Sequence, residues 1–277
     1  MAIDIDFYTK AYFYFDIPAV YNISDESRLT IYPIMLKDSE IFLTSARILQ
    51  FDKNTSPDVE IIQMSYLEFL VKKMFPANKM FVYMLWNILN KCLNVSKWGI
   101  EFDKRNKPVL ICNIDDVEYK ITSKQFDDIA KIILYQNILH YDDTYINPEI
   151  RKNMEEQDRL KMSNIVPPNT ERRIAIITAH CGVLKSDQLN MTMRSHQALF
   201  DEVCGEVEFT TIRPVAIYGG KGKELEHWIY KDKKNKFDGY STSVEQFNKS
   251  MGGDGTVLSA GNTARGDALL SRMNDMK

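Results

Sequence analysis

Glycine is almost absent from the first two thirds of this 277-residue chain. Only Gly99 precedes Gly182, whereas nine of the twelve glycines lie between Gly219 and the C-terminus. Loops that hold nucleotide phosphates need several glycines close together, because the backbone itself has to approach the phosphates. Residues 1–181 therefore contain no such loop and must fold as helices, strands and short turns.

The densest group of glycines and lysines is the stretch YGGKGKELEHW, residues 218–228. A phosphate-binding P-loop places a glycine five residues before its Gly-Lys pair and a serine or threonine after it. In the two possible frames these positions hold Val215 and Gly222, or Ile217 and Glu224. We therefore predict a turn here, followed by a short amphipathic segment over residues 224–230.

Composition and charge are those of a soluble globular protein, with 44% hydrophobic and 26% charged residues. No apolar run approaches the roughly 18 residues that span a membrane. The net charge of −3 comes from mixed signs without a basic stripe, so we expect neither nucleic acid nor membrane as a partner. Residues 1–10 carry two acids and no apolar stretch, and the four cysteines form no C-x-x-C pair. We expect no signal peptide and a reducing cytoplasmic environment.

The first part of the chain mixes strand and helix patterns. Residues 10–16 (KAYFYFD) and 28–36 (RLTIYPIML) are rich in aromatic and β-branched residues, which predicts strands. Residues 64–75 and 80–93 show two apolar helical patterns separated by Pro76, whose ring interrupts a helical hydrogen-bond ladder. These two patterns predict a helical hairpin.

The pattern changes period after residue 97. Residues 98–122 read as three short strands with turn signals between them, which predicts an antiparallel meander. A helix over residues 124–139, capped by Ser123, follows. Asn147 and the proline after it predict the start of a very polar helix through Met162.

Three helical patterns follow a break at residues 166–169 (VPPN): residues 171–184, 192–203 and 206–218. Pro214 is expected to kink the third helix or to shorten its start. From residue 231 onward the chain is rich in glycine, serine and asparagine and has only scattered apolar residues, which predicts a flexible tail.

These patterns together predict an α+β fold. An N-terminal α/β domain with a small antiparallel sheet and a helical hairpin would occupy residues 1–145. The polar helix and Pro-Pro linker would occupy residues 146–170, a small all-helical domain residues 171–230, and the flexible tail residues 231–277.

Candidate metal ligands and acids are present but lack a functional spacing. His180, Cys181, His196 and Cys204 match no common zinc frame, and adjacent side chains on a helix point about 100° apart. The Asp-Asp pairs at 115–116, 127–128 and 142–143 are typical of turns and helix starts. We therefore predict no catalytic, cofactor-binding or metal site, with an enzyme that uses an unrecognised site as an alternative.

The order of several segments resembles tail assembly chaperones of long-tailed bacteriophages of Gram-positive hosts. The segments are IYPIMLKDSEIF, MSYLEFLVKKM, VEYKITSKQFDDIAKIILYQN and a helical module with IAIITAHCG, MTMRSHQALFDEV and LEHW. The resemblance implies a non-enzymatic protein in the host cytoplasm that binds the tape-measure protein and recruits tail-tube subunits. A baseplate or tail structural component is the alternative, because the glycine-rich tail departs from the family pattern.

We expect partner binding to use sparse apolar residues near the end of the helical domain and in the tail. Paired apolar anchors on a flexible segment suit docking into successive shallow pockets of another protein. The predicted partner-binding residues are Leu225, Trp228, Ile229, Phe237, Phe247, Leu258 and Leu269.

Overall fold

The computed structural model describes residues 3–144, 147–161, 163, 166–220 and 229. Helices alternate with two small antiparallel sheets, so the chain is α+β as predicted. The strands are β1 (Ala19–Asn22), β2 (Arg28–Ile31), β3 (Lys97–Phe102), β4 (Pro108–Ile114) and β5 (Val117–Ile121). The helices are α1 (Ile5–Ala11), α2 (Ser39–Ala46), α3 (Val59–Gln63), α4 (Tyr66–Phe69), α5 (Phe75–Ala77), α6 (Met80–Leu93), α7 (Ser123–Asn137), α8 (Pro148–Lys161), α9 (Thr170–Cys181), α10 (Lys185–Leu189) and α11 (Met193–Tyr218).

The predicted meander is confirmed as the three-stranded sheet β3-β4-β5. Both pairs of neighbouring strands are antiparallel, and alternate residues of β4 are buried, as expected when one face of a sheet covers a core. Asp115 and Asp116 connect β4 to β5 with φ of 48° and 62°. Aspartate tolerates this left-handed conformation, which a tight two-residue hairpin turn requires.

Helix α7 contacts both sheets: it packs against β4, and Gln136 near its end donates to the carbonyl of Ile31 in β2 at 3.3 Å. Thr122, and not Ser123 as predicted, is its N-cap: the Thr122 side chain and that of Gln125 form a reciprocal capping box. Ser123 is the first helical residue. At the other end of α7, the Oδ1 atom of Asn137 accepts a hydrogen bond of 2.7 Å from the backbone N–H of Ile34. This bond fixes the segment after β2 against the end of α7.

The predicted strand over residues 10–16 is wrong. Helix α1 covers the start of this region, capped by Asp4, which accepts from the N–H of Phe7 at 3.1 Å. A 3₁₀ turn, Phe13–Phe15, follows. The aromatic side chains that suggest alternation instead follow helical spacing, with the rings of Tyr8 and Tyr12 5.6 Å apart.

The two helical patterns around Pro76 have different neighbours. Helix α6 has the predicted bounds and packs against α2. The segment that contains Pro76 is helical without interruption, as α4, a π-helical turn (Leu70–Met74) and α5, and α4 packs against α7. The break before α6 therefore falls at Asn78 and not at Pro76, which lies in the first turn of α5, where a proline is tolerated.

One continuous apolar cluster joins α2, α4, α6, α7 and the two sheets. Its fully buried large side chains come from every one of these elements, which ties the two sheets to the helices between them. They are Leu29, Ile31, Phe42, Ile48, Leu67, Leu70, Leu85, Ile88, Leu93, Leu110, Ile121 and Ile132.

Helix α8 confirms the predicted polar helix. It begins at Pro148, and the Oδ1 atom of Asn147 accepts from the N–H of Glu149 at 2.9 Å. In its contacts α8 belongs to a second unit of the chain.

Helices α9, α10 and α11 follow the Pro167-Pro168 break. The sequence predicts two helices over residues 192–203 and 206–218, whereas the structure has the single 26-residue helix α11. Gly205 lies inside it, where glycine costs about 1 kcal/mol relative to alanine without forcing a break. Pro214 also lies within α11 and does not shorten it.

The predicted division into separately packed units at 1–145 and 171–230 differs from the structure. The described residues 3–144 and 167–220 form one compact unit in their contacts. Met35 and Thr192 form an antiparallel bridge, and the N–H of Leu36 donates to the carbonyl of Met191 at 2.9 Å. The Pro-Pro break is therefore a change of direction between parts that pack together. The predicted tail, residues 231–277, lies outside the described residues.

Candidate partner-binding surface

Helix α11 begins at a polar junction with the N-terminal part of the fold. Its N-cap Thr192 is buried and accepts from the N–H of Ser195 at 3.1 Å. The Thr192 hydroxyl donates to a carboxylate oxygen of Asp16 at 2.6 Å, and the Ser195 hydroxyl donates to the same carboxylate at 2.7 Å. One aspartate thus holds the first turn of α11, which fixes the direction of the whole helix.

Arg194 adds a second attachment. It donates to the backbone carbonyl of Tyr135 at 2.7 Å, and its guanidinium lies 5.8 Å from the centre of the Phe13 ring. Burial lowers the pKa of Arg194, against the raising effect of the neighbouring Tyr14 and Asp16. Such a cation over an aromatic face, with a backbone acceptor, is a directional contact that resists rotation of the helix.

The packed part of α11 ends at Val203. His196, Phe200 and Val203 are its buried residues, and their spacing of four and three places them on one face. Within α11, which the structure describes throughout, no later residue is buried. We call residues 206–218 the arm: more than three turns of helix that extend past the packed part.

The arm carries apolar residues in solvent. Val207, Ile212, Ile217 and Tyr218 are exposed, the last by 92%, and Val215 is exposed as well. Scattered apolar residues are ordinary on a protein surface, but this group lies on a single projecting helix. Its arrangement around the helix therefore decides whether it forms a binding face.

One face of the arm continues the buried face of α11. Val207, Thr211, Pro214 and Tyr218 follow Val203 at intervals of four, four, three and four residues, which keeps them on one side of the helix. We call these four residues the stripe. The Thr211 hydroxyl donates to the carbonyl of Val207 at 2.7 Å, so its polar atom is satisfied within the helix and its methyl group remains for contact.

Charged residues border the stripe. Glu206 and Glu208 are exposed on either side of Val207, and Glu202 is exposed one turn earlier. Arg213 lies over the ring of Phe209, 5.9 Å from its centre, away from the stripe. A surface that complements the stripe would be apolar in the middle with basic residues at its edges.

The residues predicted from the sequence to bind a partner lie beyond the arm. Ile229 is described and is 61% exposed. The others, Leu225, Trp228, Phe237, Phe247, Leu258 and Leu269, lie outside the described residues. The arm was missed because its apolar pattern was interpreted as a packed helix. The sequence contained one sign of this exposure, because the rest of the helical domain has too few apolar residues to cover a third helix.

The candidate zinc ligands do not come together. In the described part of the chain no three His, Cys, Asp or Glu side chains form a group that could hold a metal ion. His196 is buried and bonded to Gln188, while Cys181 and Cys204 are exposed. Burial raises the pKa of Cys204, and the nearby Asp201 raises it further, which disfavours the nucleophilic thiolate.

Comparison with known proteins identifies no relative: no protein-family model, curated protein or solved structure matches this chain. Among the helices that the structure describes, none has the length and apolar character needed to cross a membrane.

Proposed function

We propose that this protein is a non-enzymatic assembly protein of the phage tail chaperone type, which binds the tape-measure protein and tail-tube subunits in the host cytoplasm. The observation that carries the proposal is the arm, a helix that leaves the fold with an apolar stripe on one face. The resemblance found in the sequence suggests which proteins the arm meets.

The sequence of the arm indicates that it needs a covering partner. Val207, Thr211 and Ile217 belong to a segment rich in β-branched residues, which lose side-chain freedom in a helix, and Pro214 removes one helical hydrogen bond. Helices are stabilised mainly by the packing of an apolar face rather than by their own propensity. A second polypeptide on the stripe would supply that packing.

The occupant that fits the stripe is an amphipathic helix. Apolar stripes on two helices interlock as ridges and grooves, with side chains at intervals of three and four residues. Because Glu206 and Glu208 border the stripe, the partner helix should carry lysine or arginine beside its apolar residues. We assign this helix to the tape-measure protein, because the chaperones that the sequence resembles bind that protein.

Co-expression with the tape-measure and tail-tube proteins of the same phage tests the proposal, with affinity purification through a tag on this chain. We expect the wild-type chain to retain both partners. Val207→Asp should reduce retention of the tape-measure protein at least about tenfold, because it places an unpaired carboxylate in the apolar contact.

Ile212→Asp is the matched control. Ile212 is 42% exposed and Val207 is 39% exposed, but the two side chains point about 140° apart around the helix. We expect Ile212→Asp to bind like the wild type. Equal losses in both variants would refute the role of the stripe, and failure of the wild-type chain to retain either protein would refute the chaperone proposal. Stoichiometric copies of this chain in finished virions would favour the structural alternative.

A further inference from the structure

A cavity of about 290 Å³ lies where α2, the end of α7, α9 and α11 meet. All four elements belong to the same compact unit. The volume is at the lower end of the range of about 300–1,000 Å³ typical of ligand sites, so it suits a small molecule. None of the stripe residues lines it.

One side of the cavity is apolar. Leu36 and Leu43 contribute from the α2 region, Ile138 and Leu139 from the chain after α7, and Met193 from the start of α11. Met193 and Ile138 also pack against the main apolar cluster. This wall offers space for a short aliphatic group.

Arg173 supplies a fixed positive charge at the cavity. Its Nε donates to the carbonyl of Pro168 at 3.1 Å, and one terminal nitrogen donates to Oε1 of Gln197 at 2.6 Å. The guanidinium also lies over the Phe200 ring, 5.2 Å from its centre. These contacts hold the plane of the guanidinium and use only part of its five N–H donors, so donors remain for an anion.

The nearby carboxylate of Asp201 is already engaged. Nε2 of Gln197 donates to one of its oxygens at 2.7 Å, and Nε2 of His140 lies 2.8 Å from the other. The His140 side chain is 72% exposed, which places it at the mouth of the cavity. Arg173 and Asp201 therefore form no direct ion pair. The side chain of Gln197 lies between them, accepting from Arg173 and donating to Asp201.

His196 is held in one tautomer at the cavity wall. The amide nitrogen of Gln188 donates to the carbonyls of Ile174 and Val183 at 3.2 and 2.9 Å, and these two acceptors fix the orientation of the amide. The Gln188 oxygen therefore faces His196, and Nε2–H of His196 donates to it at 3.3 Å. In the neutral ring Nδ1 is then an acceptor. Among the described residues Nδ1 has no hydrogen-bond partner, and this atom keeps access to solvent although only 2% of His196 is exposed.

Ser39 is a second polar residue of the cavity wall, and its hydroxyl is open to a ligand. It is 5% exposed, and its hydroxyl forms no hydrogen bond within the described part of the chain. The Ser39 Oγ atom remains accessible to solvent, so its hydroxyl can exchange a water molecule for a ligand group. Ser39 and Thr170 are also the first residues of α2 and α9, so the positive ends of two helix dipoles border the cavity.

We propose that this cavity binds a small hydroxycarboxylic acid with a short aliphatic chain. The carboxylate accepts from Arg173 and from the hydroxyl of Ser39, the ligand hydroxyl donates to Nδ1 of His196, and the aliphatic chain lies on the apolar wall. Each free polar group of the cavity then has the complementary group on the ligand. This proposal does not depend on the stripe and stands apart from the chaperone proposal.

The charge around His196 selects a hydroxyl over an ammonium group. Burial and the positive charge of Arg173 both lower the pKa of His196, so the ring is neutral at pH 7. The same positive charge opposes an ammonium group next to the ring, and the carboxylate of Asp201 is already bonded to Gln197 and His140. A hydroxyl donates the hydrogen bond without adding charge.

Four related probes test the proposal by calorimetric titration of the full chain: 2-hydroxy-4-methylpentanoate, 4-methylpentanoate, 2-hydroxy-4-methylpentanamide and leucine. For a ligand of about nine non-hydrogen atoms we expect the hydroxy acid to bind with a dissociation constant in the low millimolar range or below. Loss of the hydroxyl should weaken binding about fivefold or more. Replacement of the carboxylate by an amide should weaken it about tenfold.

Two substitutions and one control locate the binding. Ser39→Ala removes only the hydroxyl and should weaken binding of the hydroxy acid about fivefold, and Arg173→Lys, which keeps the charge without the fork, about tenfold. Ser45→Ala is the control, because Ser45 is a buried serine of the same helix that does not line the cavity. It should bind within about twofold of the wild type.

Several results would overturn the proposal: no saturable binding of the hydroxy acid by the folded wild-type chain, equal affinity for the acid and its amide, or equal effects of Ser39→Ala and Ser45→Ala. Tighter binding of leucine than of the hydroxy acid would overturn the assignment of the hydroxyl to His196. Circular dichroism of each variant verifies that the chain is folded before titration.

Discussion

The N-terminal region, residues 3–144, and the helical layer, α9 to α11, are held by different forces. The N-terminal region contains the continuous apolar cluster. The helical layer has four buried apolar residues of its own, Ile174, Ile177, Phe200 and Val203, which are not part of that cluster. Hydrogen bonds such as that from Thr192 to Asp16 attach the layer to the N-terminal region.

The difference teaches how each region should respond to change. Apolar burial is non-directional and contributes roughly 25 cal/mol per Å² removed from water, so the cluster stabilises the fold through many small contributions. A hydrogen bond contributes only about 0.5–1.5 kcal/mol net and depends on geometry. We therefore expect the helical layer to open at lower free energy than the N-terminal region, in the manner of a separate cooperative unit.

The largest effect is expected from a cavity in the apolar cluster. Leu85 on α6 is fully buried, so Leu85→Ala should lower the free energy of unfolding by about 2–5 kcal/mol. Urea unfolding followed by circular dichroism measures this. Leu184→Ala is the control, because Leu184 is 62% exposed, and it should change stability by less than about 0.5 kcal/mol. Equal losses in the two variants would refute the importance assigned to the cluster.

A smaller and more local effect is expected at the junction. Thr192→Val removes both the N-cap of α11 and the hydrogen bond to Asp16, which should cost about 1–2 kcal/mol. Amide hydrogen exchange should show faster exchange in the first turns of α11, with β3, β4 and β5 unchanged.

Thr192→Ser separates the hydroxyl from the side-chain shape. Serine retains the cap and the donor to Asp16, so we expect nearly wild-type exchange in α11. If Thr192→Val instead raised exchange equally in β4 and α11, the two regions would open together. The proposed difference between them would then be wrong.

The sequence predicted elements well where local pattern decides the structure. The meander over residues 98–122 has strand alternation and turn residues that agree, and α6 has an unbroken apolar face from Met80 to Leu93. It failed at residues 10–16, where clustered aromatic residues suit a strand as well as a helix. Only the cap at Asp4 and the packing of α1 on α7 decide between them.

The attachment of the helical layer was not predictable from pattern. The Pro167-Pro168 break signals a change of direction, and apolar periodicity stops on both sides of it. Besides the packing of Met193 on the apolar cluster, polar contacts join the layer to the N-terminal region and link distant positions, such as Asp16 with Ser195 and Arg194 with Tyr135. Periodicity shows which face of a helix can be buried and carries no information on such pairs.

The two candidate sites, the arm and the cavity, also differ in how far the sequence alone predicts them. The arm was predicted as a helix over residues 206–218, but whether another helix covers its apolar face depends on the rest of the fold. The cavity needs Ser39, Arg173 and His196 together, from three elements far apart in the chain. Each of these residues alone has an ordinary structural explanation, so only the tertiary arrangement shows the site.

The smallest expected effect concerns a carboxylate of the N-terminal region. Partial burial, together with the neighbouring Asp128 and against the opposite effect of Lys53, raises the pKa of Asp127 on α7 to about 6. An unfolded aspartate titrates near pH 3.9, so the folded state binds this proton more tightly. The stability contribution is present below about pH 4 and is lost as the pH rises towards 6.

Asp127→Asn removes this loss, so the variant should melt about 1–2 °C above the wild type at pH 7 and at the same temperature as the wild type at pH 4. The difference is small because the side chain remains in contact with solvent, which screens its charge. Asp116→Asn in the exposed β4–β5 turn is the control and should raise the melting temperature at pH 7 by less than Asp127→Asn does. If Asp127→Asn changed the melting temperature by more than Thr192→Val, electrostatics would matter more within the N-terminal region than hydrogen bonding does at its junction with the helical layer. The contrast drawn between an apolar region and a polar attachment would then be reversed.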